Sequence, residues 1–104
     1  MAWFYLLLAA ALEIAWALSM KQSQGFTRLA PTLITLVAMA ASFGFLAAAM
    51  RVLPLGTAYA IWTGIGTLGA FALGILLLGE SASALRLAAA GMILSGIVLM
   101  KLSA

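Results

Sequence analysis

Four long apolar runs, separated by short polar connections, constrain the fold of this chain more than any other feature of its sequence. They occupy residues 3–20, 29–50, 57–79 and 85–100. The first run would span about 27 Å as an α-helix, close to the hydrocarbon thickness of a bilayer. Because 67% of the residues are hydrophobic and only 7% are charged, residues 1–104 are predicted to form one all-α membrane domain of four transmembrane helices.

The connections contain residues that end or begin helices. Gly25 is the expected turn residue of the first connection, and Pro54 and Gly56 are expected to separate the second helix from the third. In the last connection, either Ser81 or Ser83 can cap the fourth helix. These short connections predict that neighbouring helices run antiparallel.

The cations near the helix ends do not favour one orientation in the membrane. With a cytoplasmic N-terminus, that side would hold two Lys or Arg residues and the opposite side three, and a difference of one is a weak topological signal. We therefore predict that the chain inserts in both orientations. Four short helices enclose little polar space, which favours an antiparallel homodimer with dual topology.

An acidic residue lies at the centre of the first run. Glu13 there costs about 2.5–3.5 kcal/mol on membrane-insertion scales. The interiors of the other three runs contain no Lys or Arg, since Arg86 lies at the very start of the fourth run, so the counter-charge must come from outside the chain. A proton and a small cationic solute are the two candidates. Their competition for one carboxylate would support proton-coupled antiport.

Several residues could surround this carboxylate. Trp16 lies one turn after the acid on the same helix face, and Tyr59 and Trp62 share a face of the third helix. Their rings offer cation–π faces, and their polar hydrogens can orient a carboxylate. Ser42, at the middle of the second run, is a further candidate donor. The alternatives are that the two third-helix aromatics serve as interfacial or packing residues and that the serine bonds to its own helix.

Small residues indicate where helices approach one another. Gly64 and Gly66 mark either a packing seam or a bend in the third helix. In the fourth helix, Ala89 and Gly96 lie seven residues apart and share a face that suits contact with another helix, including one in a dimer.

The composition argues against several other functions. The chain contains no His and no Cys, so thiolate or imidazole metal sites and redox chemistry are not expected, and neither is a cofactor. One buried acid without a nucleophile or metal set makes an enzyme the least favoured class.

No helix has a continuous polar stripe to line a channel. The net charge of +3 reflects helix-end cations and does not indicate nucleic acid as a partner. A scaffold subunit without transport remains an alternative.

Taken together, several stretches resemble the small multidrug resistance transporters over essentially the whole chain. They are Glu13, the sequence GFTR at residues 25–28, Pro31 and, above all, PLGTAYAIWTGIG at residues 54–66. The resemblance implies an antiparallel, dual-topology homodimer in the bacterial inner membrane.

The same resemblance implies roles for individual residues. Glu13 of both subunits would bind protons and substrate in turn, and Tyr59 and Trp62 would line the site. The third helix would bend at Gly64 and Gly66 between access states, and the fourth helix would form the main dimer contact.

Within that family, three features resemble the guanidinium-exporting subtype. They are Trp16, Ser42 and the sequence WTGIGTLG at residues 62–69. Guanidinium is planar and can meet a carboxylate through two parallel hydrogen bonds. Ala10 departs from the subtype, which usually has glycine there. The predicted function is proton-coupled export of guanidinium or small substituted guanidinium cations. The alternative is export of quaternary ammonium or other lipophilic cations.

Overall fold

Four α-helices make up nearly all of the chain. The computed structural model describes residues 1–103, which form α1 (Ala2–Gln22), α2 (Leu29–Ala49), α3 (Leu55–Leu78) and α4 (Ala84–Ser103). All four helices are long and apolar enough to cross a membrane. The prediction of an all-α, four-span membrane protein is therefore confirmed, and the protein is a multi-pass membrane protein.

A tight turn joins α1 to α2. Ser23 is fully buried, and its hydroxyl donates to the Met20 carbonyl at 2.6 Å while accepting the Phe26 amide at 3.0 Å. Gln24, Gly25 and Phe26 all have positive φ, with +75° at the glycine. The predicted turn residue thus lies in the left-handed region, and the buried serine hydroxyl holds the residues around it.

The other two connections show how α3 begins and ends. Pro54 precedes α3 with φ −60° and ψ 149°, and its carbonyl accepts the Ala58 amide at 3.0 Å. Because proline can directly precede a helix without losing a needed amide bond, α3 starts at Leu55, and Gly56 lies in its first turn rather than in the connection. Gly79 ends α3 in the left-handed conformation.

The fourth helix has a side-chain cap. The hydroxyl of Ser83 accepts the Arg86 amide at 3.3 Å, and its carbonyl accepts the Leu87 amide at 2.9 Å. Of the two serines that could cap α4, Ser83 is the one that does so.

The core lies where α1, α2 and α3 meet, and its residues are mostly small. Alanine side chains allow close helix approach and leave the larger residues to fill the remaining space. The buried core cluster consists of Leu6, Ala9, Ala10, Leu46, Ala49, Ala58, Ile61 and Trp62.

α4 lies outside this core. It packs along α3 and contains no buried residue, and at Gly64 of α3 a Cβ would lie 2.8 Å from Ile97 of α4. At its two ends, Arg86 lies over the Phe71 ring at 5.1 Å and Lys101 over the Trp3 ring at 4.3 Å.

The four helices form a flat body. Its principal extents are 40 × 35 × 16 Å, and the shortest is less than two helix diameters of about 10–12 Å. The residues between α1, α2 and α3 therefore lie close to a broad face of the subunit.

We expect Gly79→Ala to destabilise the protein by about 1–2 kcal/mol, because an L-residue with a Cβ is strained at positive φ. The matched control is Gly44→Ala within α2, where a Cβ would meet no atom within 4 Å and alanine favours the helix. Unfolding in mixed micelles with increasing dodecyl sulfate measures both variants. Equal stability of the two would contradict the strain at residue 79.

Candidate functional site

Glu13 lies in the middle of α1 and faces α3. A Cβ built on Gly66 would overlap the Glu13 carboxylate, so the carboxylate occupies the space that a side chain at residue 66 would need. Gly66 is itself buried. The glycine therefore allows α1 and α3 to approach with an acidic side chain between them.

No fixed positive charge pairs with this carboxylate. Glu13 Oε1 is buried and has no hydrogen-bond partner within the described residues. Over residues 1–103 the one salt bridge joins Arg86 to Glu80 at 3.9 Å, in the connection between α3 and α4 and the first turn of α4. A buried charge without a partner is costly, so this unpaired oxygen makes Glu13 the candidate centre of the site.

A hydrogen-bond network holds the backbone of α1 one turn before the acid. The Ser42 hydroxyl donates to the Ala9 carbonyl at 2.6 Å. The Trp62 indole Nε1–H donates to the same carbonyl and to the Ser42 oxygen, both at 3.2 Å. In a regular helix the Ala9 carbonyl also accepts the Glu13 amide, so this carbonyl joins three helices at the level of the site.

The sequence predicts that Ser42 and Trp62 donate hydrogen bonds to the Glu13 carboxylate, but in the structure both donate to another acceptor. The Ser42 hydroxyl donates to the Ala9 carbonyl, and the Trp62 N–H is shared between that carbonyl and the Ser42 oxygen. Ser42 does not bond to its own helix, as Thr35 and Ser95 do through the carbonyls four residues earlier. Both residues therefore position α1 and leave the Glu13 carboxylate free.

Four aromatic rings connect across the helices near the site. Trp16 meets Phe43 edge to face at 6.4 Å between centroids, and Phe43 meets Trp62 at 6.0 Å. Tyr59 lies 5.4 Å from Trp62 and is 53% exposed, whereas Trp62 is 6% exposed. Phe43 was not identified from the sequence, although it directly follows Ser42. It is the ring that joins Trp16 to Trp62.

Two further polar atoms near the site have no partner. Trp16 Nε1 and Thr63 Oγ1 are buried without a hydrogen bond within residues 1–103. Thr63 was also missed from the sequence. The only signal for it there was its place between Trp62 and Gly64 in the third helix.

A cavity of about 320 Å³ lies beyond the acid, towards the connection between α3 and α4. Ala17, one turn after Glu13, and Thr67, next to Gly66, are among its lining residues. Lys21, Glu80 and Arg86 also line it, at or just beyond the ends of the helices. The small side chain at residue 17 thus borders open space.

The glycines proposed as a hinge lie at close helix contacts. Gly64 faces Ile97 of α4 and Gly66 faces Glu13, while α3 continues through both without a break. Bending there stays a prediction. Ala89 and Gly96 are both exposed on α4, and each borders a groove along α3. Their part in a dimer also stays a prediction.

Comparison with known proteins assigns the chain to a family. The model of the family described as Small Multidrug Resistance protein matches residues 1–101. The chain belongs to this family. The resemblance of its Glu13 segment and of residues 54–66 to the small multidrug resistance transporters is thereby confirmed.

Relatives in this small multidrug resistance family match over their full length. A guanidinium exporter of Yersinia pseudotuberculosis is 58% identical over 103 residues, which is 99% of both chains. The guanidinium exporter of Citrobacter freundii is 56% identical over 99% of this chain and 98% of the relative. One from Salmonella typhimurium strain LT2 is 56% identical over 100% of this chain and 99% of the relative.

We expect Ser42→Ala to cost about 1–2 kcal/mol of stability, because it removes the donor to Ala9 and one acceptor for Trp62. The control is Ser95→Ala, whose hydroxyl bonds only to its own helix at Gly91 and is exposed. Unfolding by dodecyl sulfate in mixed micelles, followed by far-ultraviolet circular dichroism, compares them. A loss at residue 42 no larger than at residue 95 would argue against the interhelical network.

Proposed function

We propose that this protein is a proton-coupled antiporter that exports guanidinium or small substituted guanidinium cations across the bacterial inner membrane. The proton and the cation compete for Glu13. The observation that carries the proposal is the buried Glu13 oxygen without a fixed partner, in the middle of a membrane-spanning helix. Such a group needs a mobile positive charge, and only one can occupy it at a time.

The chemistry around the carboxylate supports a guanidinium-type substrate. The planar cation can form two parallel N–H···O bonds to a carboxylate, and aromatic rings stabilise its face. The relatives at 56–58% identity are named guanidinium exporters. The Ala10 methyl, which departs from the subtype pattern, is fully buried in the core cluster, so it does not fill open space beside the acid.

Exchange follows from competition together with two access states. When the protein changes its access only with Glu13 occupied, a proton entering on one side must be matched by a cation leaving on the other. The anchored Ala9 carbonyl keeps α1 in place during this exchange, and the glycines of α3 at residues 64 and 66 are the proposed points of bending.

The working unit in this proposal is an antiparallel homodimer with dual topology. The subunit is only 16 Å thick in its shortest dimension, and α4 contains no buried residue. The small residues Ala89 and Gly96 give α4 a surface that can approach a second helix closely. The nearly even distribution of cations between the two membrane faces supports insertion in both orientations.

Export of quaternary ammonium cations is the second candidate. The four connected rings, Trp16, Phe43, Trp62 and Tyr59, offer faces that bind a cation without N–H donors. Transport of guanidinium and of tetramethylammonium into the same proteoliposomes distinguishes the two. Coupled uptake of tetramethylammonium without coupled uptake of guanidinium would favour this second function.

We expect Glu13→Gln to abolish guanidinium-driven proton movement in proteoliposomes, because glutamine neither releases a proton nor carries a charge. The matched control is Glu80→Gln, which removes the chain's other carboxylate from the α3–α4 connection. A pH-sensitive dye inside the vesicles reports proton flux. Coupled flux that survives Glu13→Gln would reject the antiport mechanism and would leave a scaffold role.

For dual topology, we expect a C-terminal reporter to be active on both faces of the membrane. Fusions to alkaline phosphatase and to a fluorescent protein should both give signal, since the cation counts at the two faces differ by one. Adding a single lysine to the loop of residues 21–28 should shift the population towards one orientation. Activity on one face only would contradict the antiparallel dimer.

A further inference from the structure

Among the helix hydroxyls of residues 1–103, that of Thr63 is the one that is both buried and without a hydrogen-bond partner. The usual solution for such a group is a bond to the carbonyl four residues earlier. The residues that make this bond are Thr32, Thr35, Thr67 and Ser95.

The position of Thr63 places this free hydroxyl beside the acid. Residues three apart on a helix are neighbours on one face, with Cβ atoms about 5–6 Å apart. Gly66 is three residues after Thr63, and the space above Gly66 is filled by the Glu13 carboxylate. Thr63 therefore lies on α3 next to the position whose space the Glu13 carboxylate fills.

The unpartnered groups at this gap differ in what they can bind. The Trp16 indole can only donate a hydrogen bond, so it suits the carboxylate and cannot receive an N–H of a cation. A threonine hydroxyl can accept as well as donate. Guanidinium has N–H donors on all three nitrogens, and a bidentate bond to Glu13 uses two of the nitrogens. The third nitrogen still needs an acceptor.

We propose that the Thr63 hydroxyl accepts a hydrogen bond from the guanidinium nitrogen that does not face Glu13, which makes Thr63 a specificity-determining residue. This inference rests on the proposed function. It gives the site a second polar contact, on α3, in addition to the acid on α1. A cation without N–H groups gains nothing from this contact, so the hydroxyl favours guanidinium over quaternary ammonium ions.

Equilibrium binding of guanidinium to the purified protein in detergent, followed by tryptophan fluorescence, tests this contact. Thr63→Val keeps the shape of the side chain and removes the hydroxyl, so we expect affinity to fall about ten-fold, as for loss of a hydrogen bond to a charged group. Thr63→Ser restores the hydroxyl and should bind within about two-fold of wild type. Thr63→Ala should show the same loss as valine and serves if the valine variant does not fold.

Thr32→Val is the matched control. It makes the same change in the first turn of α2, where the exposed hydroxyl already bonds to the Arg28 carbonyl at 2.6 Å. Its guanidinium affinity should equal that of wild type. The melting temperature of each variant, measured in the same detergent, shows that the affinities belong to folded protein.

Two results would overturn the inference for Thr63. One is unchanged guanidinium affinity in Thr63→Val or Thr63→Ala. The other is a loss in Thr63→Ser as large as in Thr63→Val, since that would reflect packing rather than the hydroxyl. Failure of the proposed function looks different: wild type would then show no guanidinium binding, or Glu13→Gln would bind guanidinium as tightly as wild type does.

Discussion

A carboxylate in an apolar layer, without a positive group to pair with it, is the constraint on which the rest of this structure depends. The oxygen of Glu13 is buried and unpartnered within the described residues, and the chain's salt bridge lies elsewhere, in the connection between α3 and α4. Membrane-insertion scales put the cost of such a group at about 2.5–3.5 kcal/mol. Gly66 leaves space for the carboxylate, and the rings of Phe43 and Trp62 pack together near it. Within residues 1–103 no side chain supplies a fixed neutralising charge.

The hydrogen bonds near the acid separate two tasks. Ser42 and Trp62 act on the Ala9 carbonyl, so they fix the position of the α1 backbone one turn from Glu13. Had the same donors bound the carboxylate itself, they would have competed with any incoming proton or cation. Backbone anchoring therefore fixes α1 without occupying the Glu13 carboxylate, which is what the proposed exchange requires.

The four helices do not contribute equally to the packing of the subunit. Between helices in lipid there is no hydrophobic driving force, so association depends on close packing and interhelical hydrogen bonds. The first three helices satisfy both conditions through buried alanines and the Ser42 network, whereas α4 contributes neither a buried residue nor an interhelical hydrogen bond within residues 1–103. Its polar anchors are the cations at its ends, Arg86 over Phe71 and Lys101 over Trp3. The exposed face of α4 is the surface on which the proposed dimer contact depends.

The sequence by itself determined the four spans, the central acid without a cationic partner and the family, because hydropathy, charge and a contiguous motif such as residues 54–66 are local properties of the chain. The tertiary structure decided which groups meet: Ser42 with Ala9, Gly66 with Glu13, and Phe43 with Trp16 and Trp62. It also left the Thr63 hydroxyl buried without a hydrogen bond within residues 1–103. These contacts depend on the rotation and vertical offset of each helix against its neighbours. Helix periodicity defines the faces of one helix, but packing of several helices together selects which faces and depths come into contact.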